Sequence, residues 1–131
     1  MAEPKETRKQ KIEAVESWLP YLKKRFPLGK PVRIKYVAQC ANGTQHGQCD
    51  ITKTGKSFVI ELSLENNIAN LCQWLIHEWA HARIWHLHPD DSVHPPEWGA
   101  QYARIWEYLV DNNCVDPTIT WGNSEPGESE P

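Results

Sequence analysis

The sequence predicts an α+β domain in which a first helix, a small antiparallel three-stranded sheet, a metal-binding helix and a last helix follow one another. Three observations carry that prediction. Apolar residues recur at spacings of three and four in three separate stretches, the period of a helix with one buried face. Between the first two stretches lie short segments that alternate apolar and polar residues, the period of a half-buried strand. The third observation is chemical: of the six histidines, all but His46 fall between Ile76 and Trp98. With 131 residues and 40% hydrophobic content, the chain suffices for one domain with a modest core.

The first helix is expected between Pro4 and Phe26, where Ile12, Val15, Trp18, Leu19, Leu22 and Phe26 form an inward stripe. Pro20 is the point at which it would kink or divide. Lys9, Lys11, Lys23, Lys24 and Arg25 read as its wet face, although they are able to touch phosphates. Pro27, Gly29 and Pro31 end the element. Val32, Ile34 and Tyr36 then alternate with Arg33 and Lys35, giving a first strand from Val32 to Val37. A polar turn from Ala41 to Gly47 leads to a second strand near Gln48 to Thr52. A turn over Lys53 to Lys56 returns into a third, Ser57 to Leu62, and the three read as an antiparallel meander.

Ser63 to Asn67 has the composition of a helix cap. In the helix that follows, Ile68, Leu71, Leu75, Trp79 and Ala82 share one side, and His77 and His81 are expected on the other, facing a cleft. His77, Glu78, Trp79, Ala80 and His81 spell H-E-x-x-H. Each helical residue turns about 100°, so the two imidazoles lie roughly 40° apart and can bind one ion. Glu78 points away from that face and is placed to hold a water on the metal. This is zinc-peptidase chemistry: the ion lowers the pKa of water toward ~7, and the glutamate takes the proton as a carbonyl is attacked. Trp74 and Trp85 flank the ligand side and are candidates for cleft walls.

A catalytic zinc commonly takes three protein ligands and keeps one position open. The breaker-rich segment from Leu87 to Pro96 delivers two candidates for the third, His94 and Glu97, at the start of the last helix. His94 is preferred because neutral imidazole is a strong zinc ligand, with Glu97 as the alternative. Asp90 and Asp91 are weaker candidates for the third ligand and read rather as a solvated turn, and His86 and His88 as surface residues. The last helix carries Trp98, Tyr102, Ile105, Trp106 and Leu109 as its apolar stripe. Tyr102, Tyr108 and Arg104 are the nearby groups able to steady an oxyanion.

The run H-E-W-A-H-A-R-I-W, followed by H-P-P-E-W and a helix, resembles the SprT-like zincins, specifically from Ile76 to Trp106 and faintly before it. The resemblance implies a zincin-like metallopeptidase domain over residues 1–121, with His77, His81 and His94 as ligands of a catalytic Zn²⁺ and Glu78 as general base. Trp98 stands where the family places phenylalanine, and Pro95 departs from the usual glycine after the third histidine. It also implies that a protein or peptide substrate binds as an added strand at the sheet edge. The pair of C-x-x-C motifs that builds a zinc ribbon in some relatives is absent.

Other expectations follow from charge and composition. A net charge of −3 gives no general attraction to nucleic acid or to an anionic membrane. Proteolysis directed at DNA-bound proteins is therefore an alternative that charge does not support, and a non-catalytic zinc-stabilised interaction protein is another. No apolar run approaches the ~20 residues of a membrane span, and the charged start lacks a signal-peptide core, so a cytoplasmic address is expected. Cys40, Cys49, Cys72 and Cys114 lack zinc-finger spacing and read as free thiols, with a Cys40–His46–Cys49 metal site or a hairpin disulfide as lesser options. Residues 122–131 read as a disordered acidic tail.

Overall fold

The computed structural model describes residues 6–41, 43–112 and 114. The expected tail, 122–131, and the end of the expected domain lie outside them. The chain forms α1 (Arg8–Arg25), β1 (Val32–Val37), β2 (Gly47–Ile51), β3 (Phe58–Ser63), α2 (Ile68–Arg83) and α3 (Pro96–Asp111). No helix among the described residues is long and apolar enough to cross a membrane.

Thr7 starts α1 with a capping box: its hydroxyl accepts from Gln10 N–H while the Gln10 side chain accepts from Thr7 N–H. Val15, Trp18, Leu19 and Leu22 are buried as the spacing requires. Pro20 neither divides nor ends the helix, because it sits on the exposed side, where a carbonyl left without its helical partner can turn to water. Asn67 caps α2 by accepting from Asn70 N–H at 2.8 Å. Pro96 begins α3 at the position where a missing N–H costs nothing.

The sheet is not the antiparallel meander that the alternation suggested. Its order is β1-β3-β2, with β2 antiparallel to β3 and β1 parallel to it, Val32 opposite Phe58 and Val37 opposite Ser63. Only β2 and β3 form a hairpin, closed by Thr52 N–H to the Ser57 carbonyl, with Gly55 supplying the positive φ of 73°. The segment 38–46 carries the chain from β1 past β3 to the far edge. Burial explains the order: Phe58, Ile60 and Leu62 are all but fully buried, so β3 takes the centre, while β1 with its exposed Arg33 and Lys35 is left at an edge.

All three helices join one core with this sheet, and α2 is its axis, touching α1, α3, β2 and β3. It is consequently buried on more than its back. Besides Leu71, Leu75, Trp79 and Ala82, burial extends to Gln73, Ile76, Glu78 and His81. Trp79 fills the centre, and its indole N–H donates to the Phe26 carbonyl at 2.9 Å, joining α2 to the end of α1.

Candidate metal centre

His77 and His81 lie one turn apart on α2, and His94 reaches them from the connection between α2 and α3. The three ring centroids form a near-equilateral triangle, 5.0, 4.9 and 5.0 Å on its sides. One nitrogen from each ring lies within 4.8 Å of the others, so the group can hold a metal ion. His77 Nε2 and His94 Nε2 are 3.1 Å apart. Two zinc–nitrogen bonds of about 2.0–2.1 Å at a tetrahedral angle separate their nitrogens by roughly 3.3 Å, so this pair is close to ligand spacing.

The other candidates for third ligand go elsewhere. Glu97 turns its carboxylate to His88 at 3.5 Å, a surface pair. Asp90 accepts from the backbone and hydroxyl of Ser92, holding the loop as a tight turn. Asp91 reaches back to β2 and accepts from Cys49 N–H at 3.1 Å. Trp98, one turn into α3, supports the triangle from below, with centroids 4.5 Å from His94 and 4.8 Å from His77. Its indole N–H donates to the His77 carbonyl at 3.1 Å. In the sequence it stands both in an apolar stripe and where the resembled family places phenylalanine, and neither reading gives it a contact with the histidines.

The donor set fits a metal on its own chemistry. His81 is fully buried, and neither of its ring nitrogens meets a hydrogen-bond partner in the protein. A buried polar atom left so costs free energy that an ion bound there would recover. Burial and the neighbouring imidazoles hold His77 down at about 3, and burial and His94 hold His81 down at about 4. Both rings are therefore neutral at pH 7, the form that donates to a metal, and imidazole donors suit zinc and its first-row neighbours.

Glu78 is 2% exposed, with Oε1 lacking a partner and Oε2 4.0 Å from His77 Nε2. Burial, and behind it the charge of Asp91, raises its carboxyl to about 9. A consequence for metal uptake follows. At pH 7 the metal-free protein carries Glu78 protonated, and a nearby divalent cation favours the ionised form. Because both α2 histidines are already neutral, binding should release about one proton from Glu78 at pH 7. Titration calorimetry in buffers of different ionisation enthalpy counts it, and Glu78→Gln should lower the count by about one. An unchanged count would place the proton elsewhere.

Glu78 lies against the backbone of β2 at Gly47. A Cβ added to Gly47 would stand 3.1 Å from Glu78 Cγ, 3.2 Å from Oε2 and 3.4 Å from the Glu61 carbonyl. Only the carboxylate arm is free to give. Gly47→Ala is therefore expected to displace Glu78 by a few tenths of an ångström without touching the histidines. Since a misplacement of about 1 Å can cost roughly 100-fold in rate, any reaction that used Glu78 as its base would slow by roughly three- to tenfold, with metal content unchanged. Parallel zinc and rate measurements check it; loss of metal in the alanine variant would show that Gly47 supports the ligands instead.

Trp74 packs on His77 at 4.8 Å, and His46 stacks on it at 4.5 Å. Trp85, the other expected wall, stands edge-to-face with Phe58 and packs partly buried against the core. Of the oxyanion candidates, Tyr102 lies 5.4 Å from Trp98. Tyr108 instead packs against Phe26, and Arg104 lies near Arg83 at the same end. The four cysteines are free thiols, and among the described residues no metal-binding group includes Cys40, His46 or Cys49. No family model, no curated protein and no solved structure matches the chain.

Proposed function

We propose that the chain is a zincin-like metallopeptidase of SprT type, hydrolysing peptide bonds in protein at the three-histidine centre with Glu78 as general base. One observation carries the reading: the unpartnered nitrogens of buried His81 complete a triangle with His77 and His94, directly beside the buried carboxyl of Glu78. Zinc bound there supplies Lewis-acid polarisation of a carbonyl and a water of lowered pKa. The chain supplies the rest. His77 and His94 orient the open side of the triangle, Trp74 and Trp98 wall it, and Glu78 takes a proton from water and returns it to the leaving amine. A cation beside it favours the ionised form that accepts the proton, and the buried surroundings that raise this carboxyl favour handing the proton on while it is held.

The structural-zinc alternative meets a specific difficulty. Structural zinc is enclosed by four protein ligands, whereas the group among the described residues has three. The experiment is cleavage of an unstructured protein, such as casein, by protein containing one zinc per chain. Fragments that appear only with metal and stop on chelation are expected. Intact casein beside fully loaded protein would leave the non-catalytic reading in possession.

A further inference from the structure

On the peptidase reading a peptide would join the sheet at the outer edge of β2, the edge beside Glu78, and that edge is partly occupied. Ser63 N–H bonds to the His46 carbonyl and Thr52 N–H to the Ser57 carbonyl, so positions 46 and 52 face β3. By alternation, Gly47, Cys49 and Ile51 turn their peptide groups to the free side. There the Cys49 N–H is held at 3.1 Å by Asp91, with the Glu78 carboxyl also near it, and the Ile51 N–H is held at 2.8 Å by Asp50. The two contacts differ in kind. Asp50 is the preceding residue and merely blunts the edge, as charged groups on free strands commonly do. Asp91 comes from the loop between α2 and α3, forty-two positions away in sequence and three before His94.

Other bonds of that loop are internal to it. Asp90 and Ser92 bond to each other within the turn, and His94 follows with an exposed ring. The Asp91 to Cys49 bond is a direct link from the sheet edge to the segment that delivers the third imidazole. We propose that Asp91 is a positioning residue with two opposed effects: it seats His94 at the metal, and it withholds from an incoming peptide strand the Cys49 N–H. The first effect is independent of the peptidase reading; the second rests on it. Strand addition on the Cys49 side must expel Asp91, so subsites beyond Gly47 are closed to peptides that cannot compete with a carboxylate for one N–H. Engagement of a long substrate is then coupled to the seat of His94, and short extended peptides that end near Gly47 are the ones accepted without that competition.

The test uses full-length wild type, Asp91→Ala and Asp91→Asn, with thermal unfolding to confirm folding. Asparagine keeps a neutral acceptor of similar shape and controls for simple loss of packing. Metal affinity is measured by competition with a chromophoric chelator, and KM with fluorogenic peptides extended to different lengths. Outer groups that orient a ligand commonly contribute about 10- to 100-fold to metal affinity, so Asp91→Ala should lose about tenfold and Asp91→Asn less. At saturating zinc the same variants should lower KM for the longer peptides several-fold. A purely structural aspartate would weaken both functions together. Unchanged metal affinity overturns the tether, and a KM that rises or stays put overturns the competition. If wild type cleaves none of the peptides, the peptidase reading and the competition fall together, and the metal measurement alone decides the tether.

Discussion

Glu78→Gln is expected to retain one zinc per chain and to lose hydrolysis. Glutamine matches the carboxyl in shape and fits the space under Gly47, where the side chain is 2% exposed. It can still lie beside a water, but it cannot take a proton from it. General-base removal costs about 100- to 10,000-fold in rate, so turnover should fall by at least that range's lower bound while metal content holds. Zinc content and casein cleavage measured on the same preparation decide it; residual turnover within tenfold of wild type would remove Glu78 from the base role. The variant also has a signature in the metal-free protein. Glu78 is raised to about 9 against an ordinary 4.5. Its folded form therefore holds a proton that the unfolded chain gives up between those values, and this contribution to stability declines as pH rises through that window. Glutamine removes that slope, so the stability difference between variant and wild type should grow in the variant's favour toward pH 9.

His94→Ala should cost the metal, and Glu97→Ala should not. The first removes a corner of a triangle whose sides are 4.9 to 5.0 Å. It leaves two ligands on one helix, and affinity should drop by more than about 100-fold, beyond what loss of an outer orienting group commonly produces. The second breaks only the surface pair with His88, whose partners are 39% and 51% exposed, and an exposed pair contributes little. Competition with a chelator at pH 7 separates the two. Retention of zinc by His94→Ala together with its loss from Glu97→Ala would hand the role to the glutamate and require the loop to rearrange.

Much of the fold was legible because each helix announces itself locally. Val15, Trp18, Leu19 and Leu22 are inside because they recur at three and four, and the same holds for Leu71, Leu75 and Trp79. Strands were legible as strands, since Phe58, Ile60 and Leu62 alternate and are buried together. Their partners were not. Alternation says which face of a strand is covered, and it is silent on which neighbour lies alongside or in which direction that neighbour runs. The cleft walls show the same limit: Trp74 and Trp85 looked equivalent along α2, yet one meets His77 and the other Phe58.

The sequence by itself determined the helices, the stretches that become strands, and the placing of His77 and His81 on one face with Glu78 turned aside, because these depend only on the period of a single element. Tertiary structure decided the parallel seat of β1 beside β3, the turning of His94 rather than Glu97 to the two helix histidines, the nearness of Gly47 to Glu78 and the reach of Asp91 to Cys49. Each of those joins residues remote in the chain, and a contact of that kind exists only once the core has brought its elements together.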